Sequence, residues 1–289
     1  MQRSPTRLSH AARLDRVVAY MAERLDQPPT LEQLAAVGHF SPWHFHRIYR
    51  GLMGETVAGT LRRMRLHRAA SELLHGTASL ATIARRCGYS ATAPFNRAFA
   101  QAHGVPPGEY RRRGGLGALA PPVLQTHPLE DIRMSSTAYS VTIEERPAID
   151  VAALAHHGDY EKIGTTFEKL GAWAAGCGIA QTRGFGVYHD DPEATDEADL
   201  RSEACIQIAP EVEPDGAVQR GRIPGGRYAV LVHTGPYAEL PNPYRWLFGE
   251  WLPNSGEEAG DGPMVEEYLN DWRQLPPSQW RTAVCLPLK

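Results

Sequence analysis

Two internal repeats of different length constrain this chain more than any other feature of its sequence. In the first half, Thr30-Leu31-Glu32-Gln33-Leu34-Ala35 recurs as Ser79-Leu80-Ala81-Thr82-Ile83-Ala84, and the apolar trio Phe45, Ile48, Tyr49 recurs as Phe95, Ala98, Phe99. In the second half, Ala153-Leu154-Ala155-His156-His157-Gly158-Asp159-Tyr160 recurs as Val230-Leu231-Val232-His233-Thr234-Gly235-Pro236-Tyr237. A stretch that recurs within one chain is a supersecondary unit built twice. Each half must therefore accommodate a pair of similar units.

The first pair is helical. Leu14, Val17, Val18, Met21 and Leu25 fall at helical spacing across residues 8–26, and Pro28-Pro29 ends that run. Thr30 is placed to cap a short helix, with Gln33 as its capping-box partner, and Gly38 supplies a turn. Ser41 as N-cap and Pro42 in the first turn predict a second helix. Phe45, Ile48 and Tyr49 give that helix an apolar face, and Trp43, His46, Arg47 and Arg50 form a stripe on the other. Helix, Gly-containing turn and helix stand in helix-turn-helix order. An exposed stripe of Trp, His and Arg suits a DNA major groove, where guanidinium forks meet guanine edges and cations meet phosphates. A long Arg-rich helix is expected from Thr56 to Leu74, followed by the second copy, whose recognition-type helix spans Ser90 to Phe99. The two recognition helices start about 50 residues apart, which suits two successive major grooves ~34 Å apart.

Charge separates the halves. Residues 1–115 hold 17 Arg, no Lys and 7 acidic residues, a net +10, and the remainder holds 13 basic and 26 acidic residues, a net −13. The basic half has the electrostatic footprint of a nucleic-acid binder. The acidic half would repel DNA and attract cations. Opposite charges of this size also predict that the halves could dock and cover the basic face. The four cysteines (Cys87, Cys177, Cys205, Cys285) make no CxxC pair, so reduced thiols are expected and no metal site is. No apolar run approaches the ~20 residues of a membrane span, and the polar start carries no signal-peptide core. A cytoplasmic protein without membrane contact is expected.

The second pair is of mixed structure. Val141-Thr142-Ile143-Glu144 alternates as a strand. Each later repeat reads as a strand ending in a Gly turn, then a helix (roughly 160–175 and 237–252), then two strands (184–189 and 203–209; 263–269 and 280–287). This duplicated β-α-β-β pattern predicts an antiparallel sheet with helices on one side, and the groove between the repeats is the natural ligand site. His156 and His233, at matched positions, are expected to hydrogen-bond the turn before each helix. Within strand 263–269, Glu266 and Tyr268 share one face, and Val265, Glu267 and Leu269 the other.

The first half resembles the AraC-type DNA-binding domain over about residues 10–113. The resemblance rests on the doubled helix-turn-helix, on Arg85-Arg86-Cys87-Gly88-Tyr89, and on Gly104-Val105-Pro106-Pro107-Gly108-Glu109-Tyr110-Arg111. It implies base reading by Trp43, His46 and Arg47 in the first unit and by Thr92, Asn96 and Arg97 in the second. Arg50, Arg62, Arg63 and Arg112 are candidates for phosphate contact. The small Ala91 and Ala93 and the early Pro94 imply less base readout by the second unit.

The second half resembles the GyrI-like effector-binding domain over about 140–288. The matching segments include His157-Gly158-Asp159-Tyr160, Gly186-Val187-Tyr188-His189-Asp190-Asp191-Pro192, Ile223-Pro224-Gly225-Gly226-Arg227-Tyr228, His233-Thr234-Gly235-Pro236-Tyr237, Trp251-Leu252-Pro253 and Glu266-Glu267-Tyr268-Leu269. By resemblance Glu266 faces the central groove, and the expected wall is Tyr188, Tyr228, Tyr268 and Trp251. A carboxylate among aromatic rings would hold a hydrophobic cation. The alternative is an edge-strand Glu266 paired with Arg227 or Arg245.

The expected fold class is thus multidomain α and α+β. An all-α double helix-turn-helix domain (1–113) and a linker (114–139) precede a duplicated β-α-β-β, GyrI-like antiparallel-sheet domain (140–289). The expected function is a ligand-responsive transcription regulator whose partners are double-stranded promoter DNA, a small-molecule effector and RNA polymerase. No cofactor and no catalytic residue are expected. Two rival readings are a hydrolase of reactive small molecules fused to a DNA-binding module, with Glu266 as general base, and an architectural DNA binder of low sequence preference.

Overall fold

The computed structural model describes residues 5–114, 139–179, 183–271 and 273–289. The expected linker, including its apolar Val123 and Leu124, falls almost wholly outside them. Residues cluster into two compact units: one comprises residues 1–10, 40–51 and 135–289, the other residues 11–39 and 52–134.

The helices of the first half are α1 (Pro5–Ala22), α2 (Leu31–Gly38), α3 (Phe45–Met53), α4 (Val57–His75), α5 (Leu80–Arg86), α6 (Thr92–His103) and α7 (Pro107–Arg112). Their starts follow local chemistry. The Thr30 hydroxyl accepts from the Gln33 amide while the Gln33 side chain accepts from the Thr30 amide, closing the capping box. Thr56 and Ser79 cap α4 and α5 through the Gly59 and Thr82 amides. Ser41 behaves differently from expectation. Its carbonyl accepts from the His44 and Phe45 amides, so the chain turns here, but its buried hydroxyl has no partner and the regular helix begins only at Phe45.

In the second unit α4 is the spine, with α5, α6 and α7 packed on it. Leu66, Ala69 and Leu73 meet Ile83, Ala84, Phe95, Phe99 and Tyr110 in one apolar cluster. Gly88 stands in the left-handed region (φ 79°), and a methyl there would lie 2.7 Å from the Arg65 guanidinium. The left-handed backbone is what favours glycine at this turn, since the Arg65 side chain could shift aside.

The sheet of the first unit holds eight strands: β1 (Val141–Arg146), β2 (Ile149–His157), β3 (Gly184–Tyr188), β4 (Arg201–Gln207), β5 (Gln219–Ile223), β6 (Gly226–Thr234), β7 (Met264–Tyr268) and β8 (Arg281–Pro287). Their order is β1-β6-β8-β7-β3-β4-β2-β5, with every pair antiparallel. The order reads the same from either edge once each strand is exchanged for its repeat partner, so β3 and β7 meet at a pseudo-two-fold seam. The repeats also exchange strands. β1 precedes β2 in sequence but pairs with β6, and β5 precedes β6 but pairs with β2. The duplicated unit is therefore larger than β-α-β-β, since each copy begins with a strand given to the other.

Helix α8 (Gly164–Gly176) belongs to the first repeat. In the second repeat α9 (Pro241–Trp246) runs through a π-helical turn (Leu247–Trp251) into α10 (Leu252–Ser255). Phe167 of α8 and Tyr244 of α9 reach the same face of the sheet. The other face carries Val151, Phe185, Val187, Cys205, Tyr228, Val230, Val265 and Cys285 in a continuous apolar cluster. No described helix is long and apolar enough to cross a membrane. Among the described residues no group of His, Cys, Asp or Glu could hold a metal ion.

Candidate ligand site and nucleic-acid interface

Glu266 lies on the seam. Strand β7 is central, and its register against β3 places Glu266 opposite Gly186. These two residues hold equivalent positions in the two repeats, so the symmetric pair is broken into one carboxylate and one glycine. The glycine is needed for space: a methyl at Gly186 would lie 2.6 Å from the Tyr188 ring and 2.7 Å from the Tyr268 hydroxyl.

Tyrosines enclose the carboxylate. Tyr244 donates to Glu266 Oε1 at 2.8 Å and Tyr268 to Oε2 at 3.3 Å, and the Tyr188 and Tyr268 hydroxyls are 2.8 Å apart. Further rings support Tyr188 and Tyr268. Tyr160 meets Tyr188 edge-on with centroids 4.9 Å apart, and Phe167 and Tyr237 meet Tyr268 at 5.3 and 5.6 Å. The cluster obeys the duplication: Tyr160 matches Tyr237, Phe167 matches Tyr244 and Tyr188 matches Tyr268. Each repeat supplies the same three aromatic positions.

Adjacent glutamates behave in opposite ways. Glu266 is 4% exposed, and burial outweighs the hydrogen bonds of Tyr244, Tyr268 and Tyr188 and the charge of Arg47, raising its carboxyl to about 7. Glu267, on the other face, is buried too. There the hydrogen bond and charge of Arg183 (2.8 Å) and those of Arg146 (2.9 Å) overcome burial, and its carboxyl stays below the ordinary value. A carboxyl that titrates near neutrality in an aromatic cage can hold a cation when ionised and pass a proton when it is not.

Two sequence readings for this site change. Tyr228 does not line it: the register Tyr228↔Pro287, Val230↔Cys285 and Val265↔Cys285 puts Tyr228 on the apolar face, where its hydroxyl donates to the Pro224 carbonyl. The edge-strand alternative fails, because Arg227 pairs with Glu257 and Arg245 with Glu193. Trp251 sits half-buried in the π-helical turn, and Tyr244 is the residue that this helix brings to Glu266. Tyr188 and Tyr268 lie where expected. Tyr244 and Phe167 were missed, although each stands seven residues beyond the matched Tyr237 and Tyr160. The histidines diverge: His156 bridges the Thr166 hydroxyl (2.9 Å) and the Asp159 carbonyl (3.0 Å), whereas the buried Nε2 of His233 has no partner.

On α6, Arg97 is exposed and Thr92 and Asn96 are half-buried. Arg97, Arg62, Tyr89 and Gln101 line one shallow open depression of about 510 Å³. Two guanidinium groups on one open surface suit an anionic backbone.

The stripe on α3 is not exposed. His46 is 7% exposed, and Trp43, Arg47 and Arg50 are half-buried. Within the first unit these side chains meet the segment after β3. His46 Nδ1 is 2.7 Å from Asp191 Oδ2, Arg47 donates to the Asp190 carbonyl at 2.8 Å, Arg50 pairs with Glu193, and Trp43 lies 5.7 Å from the His189 ring. Burial would raise the Asp191 carboxyl, but the His46 hydrogen bond and the charges of Arg47, His46 and Arg50 hold it below its ordinary value. Behind the stripe His44 is fully buried, 5.6 Å from the Phe248 ring, and desolvation pushes it down to about 3, so it is neutral. An acidic loop has satisfied a basic helix.

Residues 139–289 match the GyrI-like small molecule binding domain family, and residues 34–113 match a helix-turn-helix domain family. The chain is 30% identical over 160 residues to the probable transcriptional regulator YgiV of Escherichia coli K12, an alignment spanning 54% of this chain and 99% of that protein. Transcriptional regulator Rob of Salmonella typhimurium LT2 is 23% identical over 261 residues, covering 87% of this chain and 88% of Rob. Among solved structures, the EcmrR C-terminal domain covers 52% of this chain and 98% of its own at 19% identity and a TM-score of 0.46.

Proposed function

This chain belongs to the GyrI-like small molecule binding domain family and carries an AraC-type helix-turn-helix domain, and from that premise we propose that it senses a hydrophobic organic cation at Glu266 and regulates transcription from promoter DNA. It is a DNA-binding transcription regulator with an effector-binding domain. The reading that goes further concerns the effector and the side chains that hold it.

One observation carries that reading: a single buried carboxylate at the seam of two repeats, enclosed by tyrosines contributed by both. Aromatic faces attract a cation through their quadrupoles, and a desolvated carboxylate adds a full opposite charge. A small hydrophilic cation would lose more hydration than the rings return, so an organic cation with a large apolar surface fits best. Trp43 in the turn before α3, His46, Arg47 and Arg50 on α3, and Thr92, Asn96 and Arg97 on α6 are the proposed DNA-binding set. A DNA-binding protein of this kind works in the cytoplasm, and RNA polymerase is the natural further partner. The hydrolase reading is the weaker one, because YgiV and Rob, which align with the C-terminal half and with most of the chain, are named as transcriptional regulators.

The test is calorimetric titration of the full chain with tetraphenylphosphonium. Glu266→Gln keeps the shape and removes the charge, and should weaken binding at least tenfold, or about 1.4 kcal/mol. Equal affinity in the two proteins would sink the assignment.

A further inference from the structure

The same guanidinium to which the AraC-type resemblance gives base reading stands beside the aromatic site. The Arg47 guanidinium carbon is 5.5 Å from the centre of the Tyr244 ring and 5.8 Å from that of Phe248. Tyr244 is the residue whose hydroxyl reaches Glu266 at 2.8 Å. Arg47 thus already uses what an organic cation would use, namely aromatic faces backed by a carboxylate. Its charge is also among those acting on the Glu266 carboxyl.

The surrounding contacts hold it there. His46 with Asp191, Arg50 with Glu193 and Arg47 with the Asp190 carbonyl tie one stretch of α3 to one loop. Asp190 is itself fixed by two hydrogen bonds to the Arg201 side chain, at 2.8 and 3.0 Å. At the end of the seat the backbones nearly touch: a methyl on Gly51 would lie 2.8 Å from the Gly249 Cα. Gly249 lies in the π-helical turn, which carries the second repeat's helix past α3.

We propose that Arg47 is a built-in competitor for the effector's cation seat, so that the effector displaces it and releases the α3 stripe for DNA. This rests on the reading of Glu266 as the effector's carboxylate and adds the regulation of that site. The logic is one of exclusion. One guanidinium cannot lie against Tyr244 and Phe248 and also against a guanine edge. An effector that needs the cradle empty binds the released state better, and only such a difference in affinity can shift the balance. Linkage then requires the reciprocal effect, with DNA tightening effector binding by the same factor.

The experiment uses the full chain, a labelled random-sequence 40-bp duplex at low salt, and tetraphenylphosphonium as the cation. Glu193→Gln and Asp191→Asn loosen the seat without touching the DNA-reading or cation-holding side chains. Glu193 is 36% exposed, so its variant tests the idea even if the buried Asp191 variant folds poorly. Either folded variant should bind the duplex about tenfold more tightly than the parent without the cation. Saturating cation should raise the parent's affinity toward that of the variants and leave theirs nearly unchanged. Unchanged duplex affinity in Glu193→Gln and in folded Asp191→Asn overturns the proposal. So does Glu266-dependent cation binding that leaves duplex affinity unaltered, although the effector site then stands. Absence of Glu266-dependent binding removes the effector site itself, and the competition with it.

Discussion

At the scale of single residues, protonation of Glu266 is the most informative variable. Its carboxyl titrates at about 7 in the folded chain against an ordinary 4.5. The folded state therefore holds this proton more tightly than the unfolded chain does. The stabilisation is complete below pH 4.5 and is lost as pH rises through 7. Thermal unfolding followed from pH 4.5 to 8 should show a decline in stability that Glu266→Gln lacks. A cation needs the ionised carboxylate, so tetraphenylphosphonium affinity should run the opposite way, rising across the same interval in the parent and staying flat in the variant. A parent as flat as the variant in both measurements would mean that the carboxyl is not held in a desolvated cage. The sequence singled out Glu266, Tyr188 and Tyr268 because they share a face or lie in matched motifs. It misplaced Tyr228, since the alternation of one strand does not reveal its pairing register with the next, and a register difference of one residue inverts the face.

At the scale of elements, the β3–β7 pair forms the site, and Gly186 is the residue that lets it close. Gly186→Ala places a methyl against the Tyr188 ring and the Tyr268 hydroxyl. Overpacking of this kind costs about 1–3 kcal/mol. The expected outcome is a folded protein with lowered Tm and little tetraphenylphosphonium binding, because the tyrosines must leave the carboxylate. A variant with normal cation affinity would show that the pair can adjust and that the glycine is not needed for the site. Helix starts are the opposite case, since they rest on local chemistry. Thr30→Ala opens the capping box of α2 and should lower stability by about 1 kcal/mol, measured by denaturant unfolding. These caps were legible in the sequence because a cap involves only residues three apart. Ser41 shows the limit: its residue type suits a cap, but its hydroxyl is buried without a partner while its carbonyl takes the turn.

At the scale of the whole molecule, the net +10 and −13 of the two halves meet in particular contacts: Arg50 pairs with Glu193, Arg47 donates to the Asp190 carbonyl, and His46 lies against Asp191. Cations engaged in this way are withheld from phosphates. The logarithm of DNA affinity falls with the logarithm of salt in proportion to the phosphates neutralised. Glu193→Gln should therefore show a steeper salt dependence than the parent, by about one per phosphate contact regained. Equal slopes would mean that the α3 cations reach DNA in both proteins. The exchange of β1 and β5 between repeats belongs to this scale too. Only β1 was recognisable by its own alternation, and the partners of the two strands lie 66–90 residues away in the chain.

By itself, the sequence determined what local pattern and duplication can express. It specified the paired helical units with their caps, the duplicated strand-and-helix unit, the opposite charges of the halves, and the shared strand face of Glu266 and Tyr268. These follow from residue type and spacing within a few turns or one strand. Only the tertiary structure decided which faces meet. It placed Tyr244 rather than Tyr228 at Glu266, gave each repeat's first strand to the other, and seated Arg47 against the aromatic cradle. Those outcomes depend on register and on packing between segments far apart in the chain, where the side chains of a single segment carry no record of their partner.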